Sequence, residues 1–319
     1  MAVRDLVNGE HVEGFFALRK LERRESQGGE RLTLELGDAT GRIDGVMWEG
    51  FESVVDELTV GQIVKVRGVV GTFRDRPQIR VERIRAAQAG EASPADFLAR
   101  APVDPDELAR NLDCAIASVG DPHLRALLES LLGHDPVRAQ YLTAPAGKLW
   151  HHNTIGGLAE HSLNMVRLCE FACTVYADLD RDLLIAGALL HDIGKIEQYE
   201  MTAMIDYSDE GRLIGHINSG DFRVATAIRA MPDFPPVTAR VLRHLILSHQ
   251  GAPETGSPIV PQTREAFVLY SADELDSKMG ALRHIAEKTG DRDWSDYVNL
   301  INRYIYFGHR RAAESESST

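Results

Sequence analysis

The dipeptide His191-Asp192 ends an apolar stretch, residues 183–190, that contains no charged side chain. A run this apolar is typical of a buried helix, so the pair is expected to be buried with it. Burying two ionisable groups costs several kcal/mol unless something compensates them. A divalent cation suits both groups, because imidazole nitrogen and carboxylate oxygen are its usual ligands. The alternative is an ordinary helix end, with Asp192 in a salt bridge and Gly194 as the stop signal.

Other imidazoles and carboxylates fall on the apolar faces of separate predicted helices. His161 continues the apolar row of Leu158 and Met165, and Asp273 shares a face with Leu269. Any one of them could be an independently satisfied core residue, but a shared metal centre explains them together. The candidate metal ligands are His161, His191, Asp192, His216, His249 and Asp273.

Two histidines near the end of one predicted helix, His244 and His249, are alternative ligands of this metal centre. His244 precedes His249 by five residues, which is a rotation of about 140° around a helix. The two rings therefore point in different directions, and His249 is the favoured ligand.

The order His, His-Asp, Asp across residues 145–309 resembles the HD-domain metal-dependent phosphohydrolases, and His216 and His249 resemble additional ligands of members that hold two metals. A closer resemblance, covering nearly the whole chain and its domain order, is to the bacterial OB–HD exoribonucleases of the YhaM-like family. The matching motifs are HHN at 151–153, GGLAEH at 156–161, ALLHDIGK at 188–195, GRLIGHI at 211–217, ILSH at 246–249 and GSP at 256–258.

This resemblance implies 3′–5′ hydrolysis of single-stranded RNA, with single-stranded DNA as the alternative, and two divalent ions. Manganese is the expected metal, with iron, cobalt or zinc as alternatives. In this hypothesis Asp192 bridges the ions, His161, His191 and Asp273 complete one site, and His216 and His249 serve the other, for in-line attack by water on phosphorus. One departure is Gln250, where the family commonly has a second histidine, and this predicts a weaker second metal or an altered rate.

Several residues near these motifs are candidate contacts to the substrate. Lys195 is assigned a catalytic role in holding a phosphate oxygen, although a positive charge at a helix terminus is an equal alternative. His151 and His152 precede the first ligand helix, and they contact either the scissile phosphate and sugar or only the surrounding loop. His244 is also assigned to substrate binding.

The first 88 residues are predicted to form a five-stranded OB-fold barrel. Residues 31–36 and 62–70 alternate apolar and polar side chains, and glycine-rich turns and a helical insert near 50–58 separate the strands. The phrase LGDATGRI at 36–43, followed by Met47-Trp48, resembles OB-folds of the tRNA-anticodon and single-strand-binding type. Candidate contacts to nucleic acid are Trp48, Phe73, Arg74, Arg76 and Arg80. The alternative places Trp48 in the core and leaves the arginines as solvated charges.

The whole chain is thus predicted to be multidomain, with an all-β OB barrel followed by an all-α HD domain. Its parts are an OB domain at 1–88, a linker and leading helices at 89–144, the HD domain at 145–310 and a disordered polar tail at 311–319. After the leading helices, which open at Pro105 and Pro122, further helices are predicted at 157–176, 182–193, 219–230, 236–248, 262–288 and 295–307.

The composition bears on the cellular compartment and on membrane association, but it does not identify the substrate. The net charge of −13 is uneven, because residues 1–90 carry 14 basic and 15 acidic side chains and the remainder carries −12. That balance neither supports nor excludes a nucleic-acid substrate. Three cysteines suit a reducing cytoplasm, and no apolar run approaches the roughly 20 residues of a membrane helix.

The family resemblance also suggests homo-oligomers. Three rival functions stay open: a phosphohydrolase of free or cyclic nucleotides, a nucleic-acid-binding factor with a vestigial HD site, and an oxygen-activating di-iron enzyme.

Overall fold

A computed structural model describes residues 2–26, 29–74, 76–148, 151–299 and 301–309 of the chain. The predicted polar tail at 311–319 lies outside these described residues. Contacts divide the chain into two compact units. The first contains residues up to 102 together with 154–156 and 197–215, and the second contains 103–153, 157–196 and the residues from 216 onward. The predicted domain boundaries at 88 and 144 stay predictions.

The N-terminal part of the first unit is a closed five-stranded barrel with strand order β1-β2-β3-β5-β4. This confirms the predicted OB barrel. Side chains along the strands alternate between the interior and the surface, so that Leu32, Leu34 and Leu36 are buried in the barrel core. The strands are β1 (His11–Ser26), β2 (Gly29–Gly37), β3 (Arg42–Met47), β4 (Ile63–Phe73) and β5 (Arg76–Ala86).

The long strand β1 closes the barrel by changing partners along its length. Residues 11–17 pair antiparallel with β4, and residues 17–26 pair antiparallel with β2. A bulge interrupts the register between Leu18 and Lys20. Because a bulge bends a strand and increases its twist, it allows one strand to serve both partners.

The helical insert predicted near residues 50–58 is shorter than a full helix. It consists of two 3-10 helices, Phe51–Ser53 and Val55–Glu57. The Phe51 side chain is fully buried in the barrel core, so packing of its ring fixes this segment.

The segment after the barrel, predicted to be part of a linker, is packed rather than extended. It contains a 3-10 helix, Pro94–Phe97, and Phe97 is buried in a small apolar cluster with Ala17 and Ala203. The last of these belongs to a hairpin of β6 (Tyr199–Met201) and β7 (Ile205–Tyr207) within the predicted HD domain. That hairpin adds strand structure to a region that the sequence predicts to be helical.

Helices make up most of the described residues of the second unit, which confirms the predicted helical HD domain after the barrel. Most of the predicted helices are present within a few residues of their expected bounds. The helices of the chain are α1 (Pro105–Ala117), α2 (Pro122–Leu132), α3 (Val137–Thr143), α4 (Gly157–Val175), α5 (Arg181–Leu190), α6 (Lys195–Gln198), α7 (Asp209–Leu213), α8 (His216–Arg229), α9 (Pro236–Ser248) and α10 (Arg264–Thr289).

The helix predicted at residues 295–307 is wrong. This segment folds back on itself through isolated bridges that join Trp294 to Tyr306 and Val298 to Arg303. Asn302 has a left-handed backbone with φ of 50°, and one such residue interrupts a right-handed helix. None of the helices among the described residues is both long and apolar enough to span a membrane.

Helix α5 is the centre of the second unit's core. Each residue from 183 to 190 is buried, and the buried hydroxyl of Tyr141 donates a hydrogen bond to the carbonyl oxygen of Leu189. The helix therefore delivers its C-terminal His191-Asp192 pair into an apolar interior.

The turn that follows α5 approaches the start of α8 so closely that only glycine fits between them. A Cβ atom on Gly194 would collide with the carbonyl oxygen of His216 and would lie 2.6 Å from the amide nitrogen of Gly220. The contact joins the backbone of the His191-Asp192 turn to the backbone of His216.

We therefore expect Gly194→Ala to destabilise the helical unit by about 1–3 kcal/mol, as overpacking of a close contact does. The control is Gly71→Ala, where the nearest atom to an added Cβ is the Gln78 oxygen at 3.9 Å. Urea unfolding followed by circular dichroism measures both variants. Equal stability of the two variants would contradict this role for Gly194.

Candidate metal centre

Four side chains from three elements meet at one buried point. Helix α4 supplies His161, the turn after α5 supplies His191 and Asp192, and α10 supplies Asp273. The Nε2 atom of His161 lies 3.1 Å from Nε2 of His191, 3.6 Å from Oδ2 of Asp192 and 3.3 Å from Oδ1 of Asp273. The first three residues are at most 1 % exposed.

Hydrogen bonds at the outer nitrogens decide which ring atoms face this point. Nδ1 of His191 lies 2.9 Å from the carbonyl oxygen of Ala188, so it donates a proton there. Nδ1 of His161 lies 2.7 Å from Oδ2 of Asp276 and donates in the same way. The inner nitrogens and the two carboxylates then present lone pairs to one another. These acceptors require positive charge among them, and three sources could supply it: the ammonium group of Lys195, which lies 2.6 Å from Asp192, a proton on His161, or a cation.

The pKa values agree with this need for positive charge. Burial alone would lower the pKa of His161, but hydrogen bonds with Asp273 and Asp276 outweigh burial and raise it to about 9. A bound cation would take the place of that proton. Burial would raise the pKa of Asp273, but its hydrogen bond with His161 lowers it well below the usual range, so this carboxylate is ionised.

The other oxygen of Asp192 faces a second group of acceptors. Oδ1 lies 3.3 Å from Nε2 of His216 and 3.5 Å from Nε2 of His249. Nδ1 of His249 donates to the carbonyl oxygen of Ile246 at 2.7 Å, which leaves its Nε2 as an acceptor. Both Asp192 Oδ1 and His249 Nε2 are buried and have no hydrogen-bond partner among the residues that the structure describes. Orphaned acceptors of this chemistry fit a divalent metal ion.

Asp192 is thus shared between two groups that could each hold an ion, one with His161 and His191 and one with His216 and His249. Burial lowers the pKa of His191, and it lowers the pKa of His216 to about 3, so both rings are neutral as metal ligands must be. The predicted ligand set therefore lies together around one carboxylate, although its metal-binding role stays a prediction.

Lys195 is buried next to this carboxylate. Its Nζ atom lies 2.6 Å from Oδ2 of Asp192. Burial would raise the pKa of Asp192, but the charge of Lys195 and the ring of His191 hold it well below its usual range. This is the salt bridge that the alternative interpretation of Asp192 expects, and the catalytic role of Lys195 stays a prediction.

His151 and His152 are adjacent in sequence but have different surroundings. The ring centroid of His151 lies 6.0 Å from that of His161. Burial and the charge of Lys195 lower the pKa of His151 to about 3, so its ring is neutral at the edge of the cluster. Both nitrogens of the buried His152 instead lie within hydrogen-bond distance of carboxylates. Its predicted contact with substrate stays untested.

His244 and Gln250 lie on either side of His249 in sequence. The Nε2 atom of His244 accepts a hydrogen bond from the backbone amide of Gln262 at 2.9 Å, so it holds the segment before α10. Its predicted substrate role stays a prediction. The side-chain nitrogen of Gln250 lies 3.2 Å from Nε2 of His216, which places this departure from the family pattern beside the second group of acceptors.

The sequence prediction missed a layer of carboxylates behind the cluster. Asp276 accepts hydrogen bonds from His152, from His161 and from Asn164, and Glu160 lies on the other side of His152. The signal available in sequence was the spacing of Asp276, three residues after Asp273, which puts both on one helix face.

The barrel carries aromatic and basic side chains on its surface. Phe73 is 53 % exposed and Trp48 is 44 % exposed, which excludes a buried core position for either. The guanidinium groups of Arg74 and Arg31 stack over these rings at 5.3 Å and 5.1 Å from the ring centroids. A concavity of about 410 Å³ is lined by Asp44, Phe73, Arg74, Arg76, Pro77 and Gln78.

A second concavity, of about 220 Å³, shares Phe73, Asp44 and Gln78 with the first and extends to Arg31. Arg31 was missed in the sequence and Arg80, which was predicted, is exposed on β5 but does not line either concavity. The exposed rings and arginines form a surface suited to stacking and to phosphate contact.

We expect divalent cations to stabilise the protein through the buried acceptors. Manganese at about 100 times its Kd should raise the free energy of unfolding by about 2.7 kcal/mol, and thermal unfolding with and without metal measures the increase. His191→Ala should lose most of this increase, whereas His123→Ala, at a ring that packs against Phe234, should retain it. No metal-dependent increase in the unaltered chain would contradict a metal centre here.

Comparison with known proteins adds two family matches and close relatives. A protein-family model described as an HD domain matches residues 158–278, and a family model described as an OB-fold nucleic acid binding domain matches residues 17–87. The HD match supports binding of divalent metal by this unit. The OB match supports nucleic-acid binding by the barrel.

The relatives match along nearly the whole chain. The chain is 33 % identical over 301 residues to the 3′-5′ exoribonuclease YhaM of Oceanobacillus iheyensis, covering 94 % of each chain. It is 33 % identical over 303 residues to the protein of that name from Shouchella clausii, covering 93 % of each. The Bacillus velezensis protein of that name is 32 % identical, with 93 % of this chain and 95 % of that protein covered. This chain therefore belongs to the YhaM family of OB–HD 3′-5′ exoribonucleases.

Proposed function

We propose that this protein is a metal-dependent 3′–5′ exoribonuclease that hydrolyses single-stranded RNA, with single-stranded DNA as the alternative substrate. The observation that carries the proposal is the buried Asp192, whose two oxygens face two groups of imidazole acceptors. The exposed rings and arginines of the barrel support a single-stranded polymer as substrate rather than a free or cyclic nucleotide. The whole-length relatives named as exoribonucleases support the direction of cleavage.

We propose two ions as cofactors, with manganese as the expected metal and iron, cobalt or zinc as alternatives. Mixed nitrogen and oxygen ligands suit these metals better than magnesium or calcium. The first ion would be held by His161, His191, Asp192 and Asp273. The second would be held by Asp192, His216 and His249. Gln250 lies against His216 and offers no imidazole, so this second site is expected to bind its ion more weakly.

Bound divalent cations would supply a nucleophilic water near neutral pH and would neutralise charge on the phosphoryl oxygens. Side chains of the protein would bind and orient the substrate. The ammonium of Lys195, 2.6 Å from Asp192, attracts a non-bridging oxygen of the scissile phosphate. The neutral ring of His151, at the edge of the cluster, donates its one N–H to the phosphate or the adjacent sugar.

The barrel would bind the strand by contacts that do not depend on base sequence. The exposed Phe73 and Trp48 rings stack on bases, while Arg74 and Arg76 contact phosphates. Arg31 extends the same surface beside Trp48. Trimming from an end needs this kind of contact, because the base that arrives changes with each turnover.

We also propose that the protein acts in the cytoplasm as a homo-oligomer. Free thiols at Cys114, Cys169 and Cys173 support a reducing compartment. Exposed apolar side chains on α4 and α10, Phe171 and Phe267, support a contact between copies of the chain.

Asp192→Asn should abolish metal-dependent RNA hydrolysis while the chain stays folded, because both proposed ions lose their shared ligand. The assay follows stepwise shortening of 5′-labelled single-stranded RNA with manganese, and circular dichroism checks the fold. Asp106→Asn, at an exposed position of α1, is the matched control and should retain full activity.

Full activity of Asp192→Asn would end the hydrolase proposal. A wild-type protein that hydrolyses free or cyclic nucleotides but leaves RNA intact would favour the rival phosphohydrolase function.

Phe73→Ala should weaken RNA binding through the loss of one stacked base, which is worth about 1–3 kcal/mol, or a rise in KM of about 5- to 150-fold. Hydrolysis of a small phosphodiester such as bis-p-nitrophenyl phosphate should be unchanged, because that substrate has no strand of bases for the barrel to bind. Val7→Ala, another exposed apolar position of the barrel unit, is the control. Equal losses on both substrates would show that Phe73 is structural.

A further inference from the structure

His152 is a buried imidazole enclosed by two carboxylates. Its Nδ1 atom lies 2.9 Å from Oε2 of Glu160, and its Nε2 atom lies 2.8 Å from Oδ2 of Asp276. The residue is 8 % exposed. Ionised carboxylates only accept hydrogen bonds, so both ring nitrogens donate. No nitrogen of His152 is left to contact a metal ion or an RNA phosphate.

The contact to Asp276 links His152 to a proposed metal ligand. Oδ2 of Asp276 also accepts from Nδ1 of His161 at 2.7 Å, and its Oδ1 accepts from Asn164 at 3.1 Å. The same oxygen therefore serves both imidazoles. Through this shared oxygen, His152 contacts the group that orients His161.

The loop before α4 holds His152 in this buried position. Its backbone is left-handed, with φ of 43°, a conformation that persists only where the surroundings impose it. Its carbonyl oxygen accepts a hydrogen bond from the amide of Ala146 at 3.0 Å. A Cβ atom on Gly157 would collide with that carbonyl oxygen, so the glycine permits the close approach of the loop to α4.

We propose that His152 is a positioning residue that, with Glu160 behind it, holds Asp276 so that Asp276 orients His161 toward the bound cation. This inference rests on the proposed function for the presence of the cation. Carboxylates that hydrogen-bond the outer nitrogen of a metal-bound histidine fix its orientation, and their loss commonly weakens metal binding by about 10- to 100-fold. His152 extends that arrangement by one further side chain.

The test is manganese binding by the full-length chain, measured by titration calorimetry, with His152→Asn compared with the unaltered protein. We expect manganese affinity to fall about 10- to 100-fold. In RNA hydrolysis at saturating manganese, KM for RNA should be unchanged. The cobalt-loaded variant should show an altered visible absorption spectrum, because the ligand field changes when His161 is released. His123→Asn should match the unaltered protein in every measurement.

A double variant tests whether the two residues act together. If His152 acts through Asp276, His152→Asn combined with Asp276→Asn should lose no more manganese affinity than Asp276→Asn alone. Should His152→Asn fail to fold, Glu160→Gln keeps the ring in place while weakening its support, and it should still lower manganese affinity. Unchanged affinity in Glu160→Gln would then overturn the inference.

Two other outcomes would also overturn it. Unchanged manganese affinity with a raised KM for RNA would make His152 a substrate contact. Loss of one bound ion from a total of three would make it a ligand of a separate site, since His152, His161 and Asp276 have ligand atoms within 4.8 Å of one another. Because calorimetry needs no turnover, a protein that binds manganese but does not cleave RNA would refute the proposed function and leave this inference measurable.

Discussion

The structure depends on the burial of one carboxylate, Asp192, among imidazoles that present lone pairs to it. Backbone carbonyls and Asp276 accept hydrogen bonds from the outer nitrogens of His191, His249 and His161. Of the inner atoms, Nε2 of His216 faces the side-chain nitrogen of Gln250 and Oδ2 of Asp192 faces Lys195. Nε2 of His249 has no hydrogen-bond partner among the described residues. In a medium of low dielectric constant such a group of acceptors is unstable unless positive charge lies among them. The ammonium group of Lys195 supplies part of this charge, and a divalent cation would supply the rest.

Two packing features keep these atoms in place. The close approach of Gly194 to the backbone of His216 joins the turn that carries Asp192 to the first residue of α8. Behind His161, the chain of Glu160, His152 and Asp276 fixes the ring from the opposite side. Ligands on separate helices can share one ion only if such contacts hold each side chain against the others.

The two compact units divide the chemistry between them. The barrel offers exposed aromatic rings and guanidinium groups. Binding to them tolerates different base sequences, because every base has a face that can stack. The helical unit offers buried acceptors and the buried ammonium group of Lys195, which suit a reaction at phosphorus. An enzyme that shortens a single-stranded RNA by one nucleotide at a time needs both kinds of surface.

The sequence by itself determined the barrel, the order of the helices and the identity of the candidate ligands. Alternation in strands such as 31–36 and the apolar row around His161 are local patterns, and local patterns survive without knowledge of the partner segment. The sequence could not supply the roles of Asp276, His152 and Arg31 or the fold of residues 295–307. His152 and Asp276 are 124 positions apart in sequence, so only the tertiary structure brings them together. The contacts of Arg31 and the left-handed backbone of Asn302 have no periodic signal in the sequence, and they too are decided by the tertiary structure.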